Sequence, residues 1–268
     1  MNIIESFPTV SIGMPVYNDS KYITAAIESL LNQTYTDFEL IISDNASSDA
    51  TSDICKKYSK CDNRIRYYRQ SQNIGALANF QYVLTHAKGK YFMWAAGDDR
   101  RAATFLEKSV SILEEDEKCG LVFSNYLEKN LETGEEKTHT VMPSNCRYTS
   151  INFLIRTLWM CPSMIYGLFR KNIIQNVTLG EYDFSDVHFV SEITLISRVR
   201  VINEYLYTAG TKGVRSPYSL TFRKIDRKCF LRKQYQMLAE KKSIPVCVFL
   251  YFVVCLAMIY NKIVLWRY

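Results

Sequence analysis

Histidine, proline and glycine are all scarce in this chain of 268 residues. There are three His, six Pro and ten Gly. His86, His139 and His188 stand far apart, with no metal-ligand spacing among them. Eight cysteines (Cys55, Cys61, Cys119, Cys146, Cys161, Cys229, Cys247 and Cys255) contain no CxxC pair. A zinc site and a disulfide framework are thereby excluded, and free thiols in a reducing compartment are expected. No Ser-His-Asp arrangement is apparent. Pro and Gly gather into no low-complexity linker, and no internal repeat is found. Met1 to Pro8 is short and mixed, so no signal peptide is expected there. What the chain does have is apolar content, 48% of its residues, enough for a globular core rather than a disordered segment.

Charge is unevenly spread. The net charge of +6 hides an acidic body, with 21 Lys and Arg against 25 Asp and Glu in residues 1–211. Residues 212–268 carry 12 basic residues and only two acidic ones. Such a basic stretch attracts polyanions, either nucleic acid or an anionic membrane surface.

The hydrophobic pattern alternates between two periods. Val10 to Asn18 reads as a strand that runs into a loop, with Pro15 expected to end its ladder. Ile23, Ala26, Ile27, Leu30 and Leu31 recur at helical spacing, with Asp19 or Ser20 as a cap. Phe38 to Ser43 is a second strand that ends at Asp44. A helix through Tyr58, a strand from Ile65 to Arg69 and a helix from Leu77 to Ala87 follow. Tyr91 to Ala95 is then a buried strand that stops at Gly97-Asp98-Asp99. This β-α-β-α-β-α-β order predicts an α/β fold with a parallel sheet. The second half is less regular. Helices are expected over Ala103–Asp116, Ser150–Trp159 and Asp186–Arg200. Strands are expected over Gly120–Tyr126, Met164–Phe169 and Val201–Tyr207, with a hairpin or exposed excursion over Glu128–His139.

Asp98 and Asp99 admit two readings. One of them can cap the helix that starts near Ala102. Alternatively, two carboxylates at a strand's carboxyl end repel unless a cation neutralises them, and hard divalent cations share carboxylates with substrate phosphates. Polar clusters follow successive strands at Asn18, Asp44, Asn73 and Asp98. In a parallel sheet those loops share one edge, which favours a cleft.

Taken in order, these segments resemble the family 2 glycosyltransferases. The residues that carry the likeness are Val10 to Asn18 with its Pro-x-Tyr-Asn, Ile23 to Tyr35, Phe38 to Asp49, Asn73-x-Gly75, Gly89 to Asp99 and Tyr166 to Arg170. They span residues 8–210 in the family's spacing. The resemblance implies a GT-A fold, a Rossmann-like and mostly parallel sheet flanked by helices. It divides residues 1–211 into a nucleotide-binding half (8–100) and an acceptor half (101–211). It also implies transfer of a sugar from a nucleotide-sugar, weakly favouring a UDP-sugar, to an acceptor hydroxyl with inversion. Pro15, Tyr17, Asn18, Asp44, Asn73, Gly75, Gly97 and Asp98 fall on its nucleotide-binding segments. Asp44 matches the residue that meets the nucleobase, and Asp98 the ligand of Mg²⁺ or Mn²⁺, with Asp99 in support. One departure stands out: the family's usual Asp-x-Asp would place a carboxylate where this chain has Ala96. Inversion needs a general base at a helix start in the second half. Asp186 is preferred, over Asp183 and then Glu192. Arg215 resembles a late segment near the diphosphate. Two other functions compete, a nucleotidyltransferase and a catalytically impaired nucleotide-sugar-binding scaffold.

Residues 244–260 contain no charge and are apolar all round, immediately after the basic stretch. A spanning tail, a helix embedded at the interface, and a buried core or homodimer helix compete here. Contact with the cytoplasmic face of a membrane is expected, with a glycan or lipid-linked glycan as acceptor. No nucleic-acid partner is expected, because no nucleic-acid fold accompanies the charge. The check is cell fractionation without detergent or salt. The full chain should sediment with membranes, and recovery in the soluble fraction contradicts this reading.

Overall fold

Two strands of the first half are apolar on both faces, and that decides where they lie. β2 (Phe38–Asp44) and β4 (Tyr91–Trp94) are buried at every position. Such strands belong inside a sheet covered by helices on both sides. β1 (Val10–Val16) runs parallel between them, aligning Val10 with Phe38 of β2 and with Tyr91 of β4. β3 (Ile65–Arg69) adds outside β2, also parallel. The crossovers are α1 (Ile23–Leu31), α2 (Thr51–Cys61) and α3 (Ala76–Thr85). The structure is a computed structural model that describes residues 7–143, 161–175, 177, 179–180 and 185–212. The expected helix over 150–159, Asp183, Arg215 and the extension from residue 213, including 244–260, lie outside the described residues.

Side chains alternate between the two faces with a period of two. Ile12, Met14, Leu40, Ile42 and Met93 pack with Ile23, Ile27 and Leu30 of α1 and with Phe105 and Leu106 of α4 (Phe105–Glu115). Ile41, Phe92 and Trp94 face the other way, toward Val83 and Leu84 of α3. Phe189 of α6 (Ser185–Ile196), which follows the short α5 (Lys171–Ile174), meets the Trp94 ring there at 5.6 Å.

The remaining strands extend the sheet beyond β4. They are β5 (Arg100–Arg101), β6 (Cys119–Asn130), β7 (Glu136–His139), β8 (Leu168–Arg170) and β9 (Arg198–Thr211). The order is β3-β2-β1-β4-β8-β6-β9-β5, with β7 paired to β6. The excursion over Glu128–His139 is a hairpin arm, Lys129 opposite Glu136. β8 is antiparallel to both neighbours, so the sheet is mixed. The α/β class therefore holds, with β1 to β4 all parallel.

Three local expectations change. The ladder of β1 with β2 runs through Pro15 to Val16, whereas the ladder with β4 stops at Gly13. Met164–Phe169 is not a single strand: Pro162 to Tyr166 forms a 3₁₀ turn, and only Leu168–Arg170 pairs. The α6 helix ends at Ile196, and β9 begins at Arg198 rather than Val201, because it aligns with Cys119 of β6. Arg170, expected on an acceptor-side segment, has a structural task. It donates to the carbonyls of Leu113, at 2.6 Å, and Cys119, at 3.0 Å, and so holds the carboxyl end of α4.

Chain order 3-2-1-4 reverses between β1 and β4. Ligands of open α/β sheets bind outside the strands' carboxyl ends at such a reversal.

Candidate active site

Three loops meet at this edge and are tied together through their polar side chains. Asn18 adopts a left-handed φ of 55°, which Asn tolerates better than most residues. Its carboxamide oxygen accepts from Ser48 N at 2.9 Å, and its own N–H donates to Ser47 Oγ at 3.0 Å. Asp19 N donates to Thr51 Oγ1 at 2.8 Å. The loop after β2 is in turn tied to the loop after β3. Asn45 Nδ2 donates to Asn73 Oδ1 at 2.9 Å, and Ile74 N donates back to Asn45 Oδ1 at 2.8 Å. Gly75 takes a φ of +85°, which suits glycine alone at the start of α3. Asn73, Gly75 and Tyr17 are exposed on this edge, and Pro15 is half-buried.

Asp44 departs from its expected place. It is fully buried. Its carboxylate accepts from Ser47 N at 2.8 Å, Tyr67 Oη at 2.9 Å and Arg69 Nη1 at 2.8 Å. A carboxylate enclosed in this way organises the loop after β2.

The carboxylates after β4 divide their roles. Asp99 turns inward, accepting from Tyr207 Oη at 2.6 Å and from Gly210 N at 3.0 Å. Burial pushes its carboxyl up to about 6, against the opposing charge of Arg101. Arg101 lies 3.9 Å from the Tyr207 ring centroid and donates to the Tyr166 carbonyl at 2.8 Å. Asp99 is thus a clamp on β9 and gives no support to a metal. Asp98 faces the other way, beside a residue that sequence reasoning had placed only as a helix cap. Asp19 Oδ1 and Asp98 Oδ2 lie 2.7 and 3.4 Å from one ammonium, that of Lys212. Burial pushes the Asp98 carboxyl up, Lys212 opposes this, and Asp19 adds to it.

Two glycines permit this approach. A Cβ on Gly97 would sit 2.8 Å from Asp19 Oδ2, and one on Gly210 would collide with the Asp98 carbonyl. Ala96 contributes no carboxylate, and Asp19 brings one from a different loop. The only sequence signal for Asp19 was its place directly after Asn18 on the loop edge. Lys212 lies 193 residues from Asp19, and no local pattern points to it.

Asp186 opens α6, with its Oδ1 accepting from Val187 N at 2.7 Å. Burial pushes its carboxyl up. It lines a cleft of about 350 Å³ with Ala76, Leu77, Ser163, Tyr166 and Ser185. Ala76 and Leu77 directly follow Gly75, so this cleft adjoins the loop edge. Glu192 is six residues beyond Asp186 along α6, about 9 Å of helical rise, and does not line it. Tyr166 connects the two halves of the site. Burial raises its hydroxyl pKa, and the charges of Asp99, Asp98 and Asp186 raise it further.

A divalent cation fits the Asp19–Asp98 pair. Both are hard oxygen ligands, and they already converge on one positive charge. Among the described residues no group of three metal-ligating side chains occurs. Water and substrate phosphates would have to supply the other ligands.

A strand-order reversal with linked polar loops and two separated carboxylates is where an open α/β sheet carries its ligand site. The sequence profile described as Glycosyl transferase family 2 matches residues 11–178, and the chain belongs to that family. An uncharacterised glycosyltransferase of Rickettsia typhi is 30% identical over 213 residues, covering 72% of this chain and 64% of the relative. The putative teichuronic acid biosynthesis glycosyltransferase TuaG of Bacillus subtilis is 34% identical over 119 residues, 44% of this chain and 47% of the relative. A cholesterol galactosyltransferase of Borreliella burgdorferi is 28% identical over 218 residues, 74% of this chain and 59% of the relative. This chain therefore spans roughly half to two thirds of these relatives. The fold is shared with S. aureus TarS 1-349 in complex with UDP, at a TM-score of 0.67 and 20% identity, covering 88% of this chain and 67% of that one. It is also shared with the Pyrobaculum calidifontis mannosyltransferase PcManGT in complex with GDP-Man and Mn²⁺. There the TM-score is 0.58 at 15% identity, covering 96% and 76%.

The clamp has a measurable consequence. Tyr207→Phe removes one donor from the buried Asp99 carboxylate, and we expect a stability loss of about 1–3 kcal/mol in urea unfolding. An unchanged midpoint and slope would show that the bond carries no weight.

Proposed function

We propose that this chain transfers a sugar from a nucleotide-sugar to an acceptor hydroxyl, with inversion at the anomeric carbon. One observation carries the reading: Asp186 and Tyr166 line a cleft with Ala76 and Leu77 of the loop edge, on which Asp98 and Asp19 converge at one positive charge. The site then has a carboxylate for the diphosphate side and another for the acceptor side.

Asp186 is the general base. Its buried position raises its proton affinity, which suits a carboxylate that must take a proton near neutral pH. The acceptor oxygen attacks the anomeric carbon, its proton passes to Asp186, and the bond from that carbon to the diphosphate oxygen breaks. No protein nucleophile is required. Asp98, with Asp19 beside it, would hold Mg²⁺ or Mn²⁺, which neutralises charge on the departing nucleoside diphosphate. The loops at Asn18 and Asn73–Gly75 supply the donor-binding edge. Gly97 keeps the backbone low, so that Asp19 can reach Asp98. The likeness to a UDP complex of TarS and a GDP-Man complex of PcManGT supports a nucleotide-sugar donor.

The acceptor is a glycan or lipid-linked glycan of the cell surface, met at the cytoplasmic face of a membrane. Support comes from the basic and then uncharged sequence of residues 212–268 and from the printed names of TuaG and the cholesterol galactosyltransferase. Among the described residues no helix is long and apolar enough to cross a membrane.

Release of nucleoside diphosphate from a panel of nucleotide-sugars with Mn²⁺ tests the activity. Asp186→Asn should lower turnover by about 10²–10⁴-fold and leave nucleotide binding intact. Near-normal turnover in Asp186→Asn, with loss in Asp183→Asn, would move the base to Asp183. No release with any donor would favour a binding scaffold.

A further inference from the structure

The Lys212 ammonium sits where two carboxylates converge, 2.7 Å from Asp19 Oδ1 and 3.4 Å from Asp98 Oδ2. Its side chain is 47% exposed, whereas those of Asp19 and Asp98 are 11% and 19% exposed. So the anions are fixed and enclosed, while the cation stands on a long, flexible stem at the open side. Two enclosed carboxylates that converge on one point repel unless a positive charge lies between them or one of them takes a proton.

Among the described residues no other cation pairs with Asp19 or Asp98. Arg101 is buried on the far side of the Asp99 clamp, against Tyr207 and the Tyr166 carbonyl. The Asp99 carboxylate points toward Tyr207 and Gly210 N, away from the pair. Lys212 follows directly after β9, whose Gly210 packs on the Asp98 carbonyl. The strand therefore delivers this lysine to this point.

We infer that Lys212 is a built-in counter-ion that holds the divalent-cation position between Asp19 and Asp98 and competes with the metal for it. This rests on the proposal that Asp98 takes a divalent cation. An ammonium and a divalent cation cannot share one point between two carboxylates, because their mutual repulsion in a half-buried site is large. The metal must displace the lysine. The free protein consequently binds Mn²⁺ weakly, and the carboxylate pair stays neutralised when no metal is present. Lys212 is a positioning residue in this account. It meets neither the sugar nor the acceptor.

The test is direct Mn²⁺ binding to the full chain without nucleotide, read from the electron paramagnetic resonance signal of free Mn²⁺. Lys212→Met should bind Mn²⁺ about tenfold tighter than the wild type or more, as expected when a competing positive charge is removed. Lys212→Arg keeps the charge and should bind as weakly as the wild type. Lys212→Met combined with Asp98→Asn should lose the gain. Equal affinity in the wild type and Lys212→Met would overturn the competition while leaving the metal site in place. If none of these proteins binds Mn²⁺ at millimolar concentration, the metal reading fails and the inference goes with it.

Discussion

A single buried carboxylate holds the cleft together. Asp99 is enclosed, and it accepts from the Tyr207 hydroxyl and from Gly210 N. Such a group is costly to bury without partners, so its two donors fix β9 against the turn after β4. Arg101 adds a charge on the same spot and reaches on to the Tyr166 carbonyl. Three elements far apart in sequence are thereby locked: residues 97–101, the 3₁₀ turn at 162–166, and the end of β9. The neighbouring positions inherit their geometry from this lock. Asp98 turns toward Asp19, Lys212 comes down between them, and Tyr166 faces the cleft that Asp186 lines.

The same economy governs the opposite wall. Asp44 is spent on internal bonds to Ser47, Tyr67 and Arg69, and Asn45 on the loop at Asn73–Ile74. These bonds preorganise the loop edge, so that a ligand meets backbone and exposed side chains already in place. Preorganisation of this kind lowers the ordering cost of binding.

The nucleotide-binding half was legible because its strands are buried on both faces. Leu40–Ile42 and Tyr91–Trp94 are continuous apolar runs, each followed by polar residues, and that pattern admits few other structures. The cleft at the loop edge followed from the same rule. The acceptor half was less legible. β8 is only three residues long and takes its place from pairing with β4 and β6, which no local pattern announces. A run from Met164 to Phe169 looks like a strand until Pro162 sets a turn ahead of it. Within the site, residue type misled where direction mattered. Asp44 and Asp99 have the right chemistry for ligands yet point into the protein. Asp19 looked like a cap, and its backbone carbonyl does accept from Tyr22 N and Ile23 N. Its side chain nevertheless belongs to the cation site, a contact set by tertiary packing against Gly97. Lys212 arrives from the far end of the described chain.

We propose that this loop edge is a nucleoside-diphosphate site completed at Asp98. Thermal unfolding of the full chain across a panel of nucleoside diphosphates, each with Mn²⁺, tests it most directly, because a ligand that binds only the folded state raises the midpoint by mass action. The midpoint should rise with at least one nucleoside diphosphate, an effect lost in Asp98→Asn and retained in Asp186→Asn. A panel without any shift, or a shift of equal size in Asp98→Asn, would contradict it.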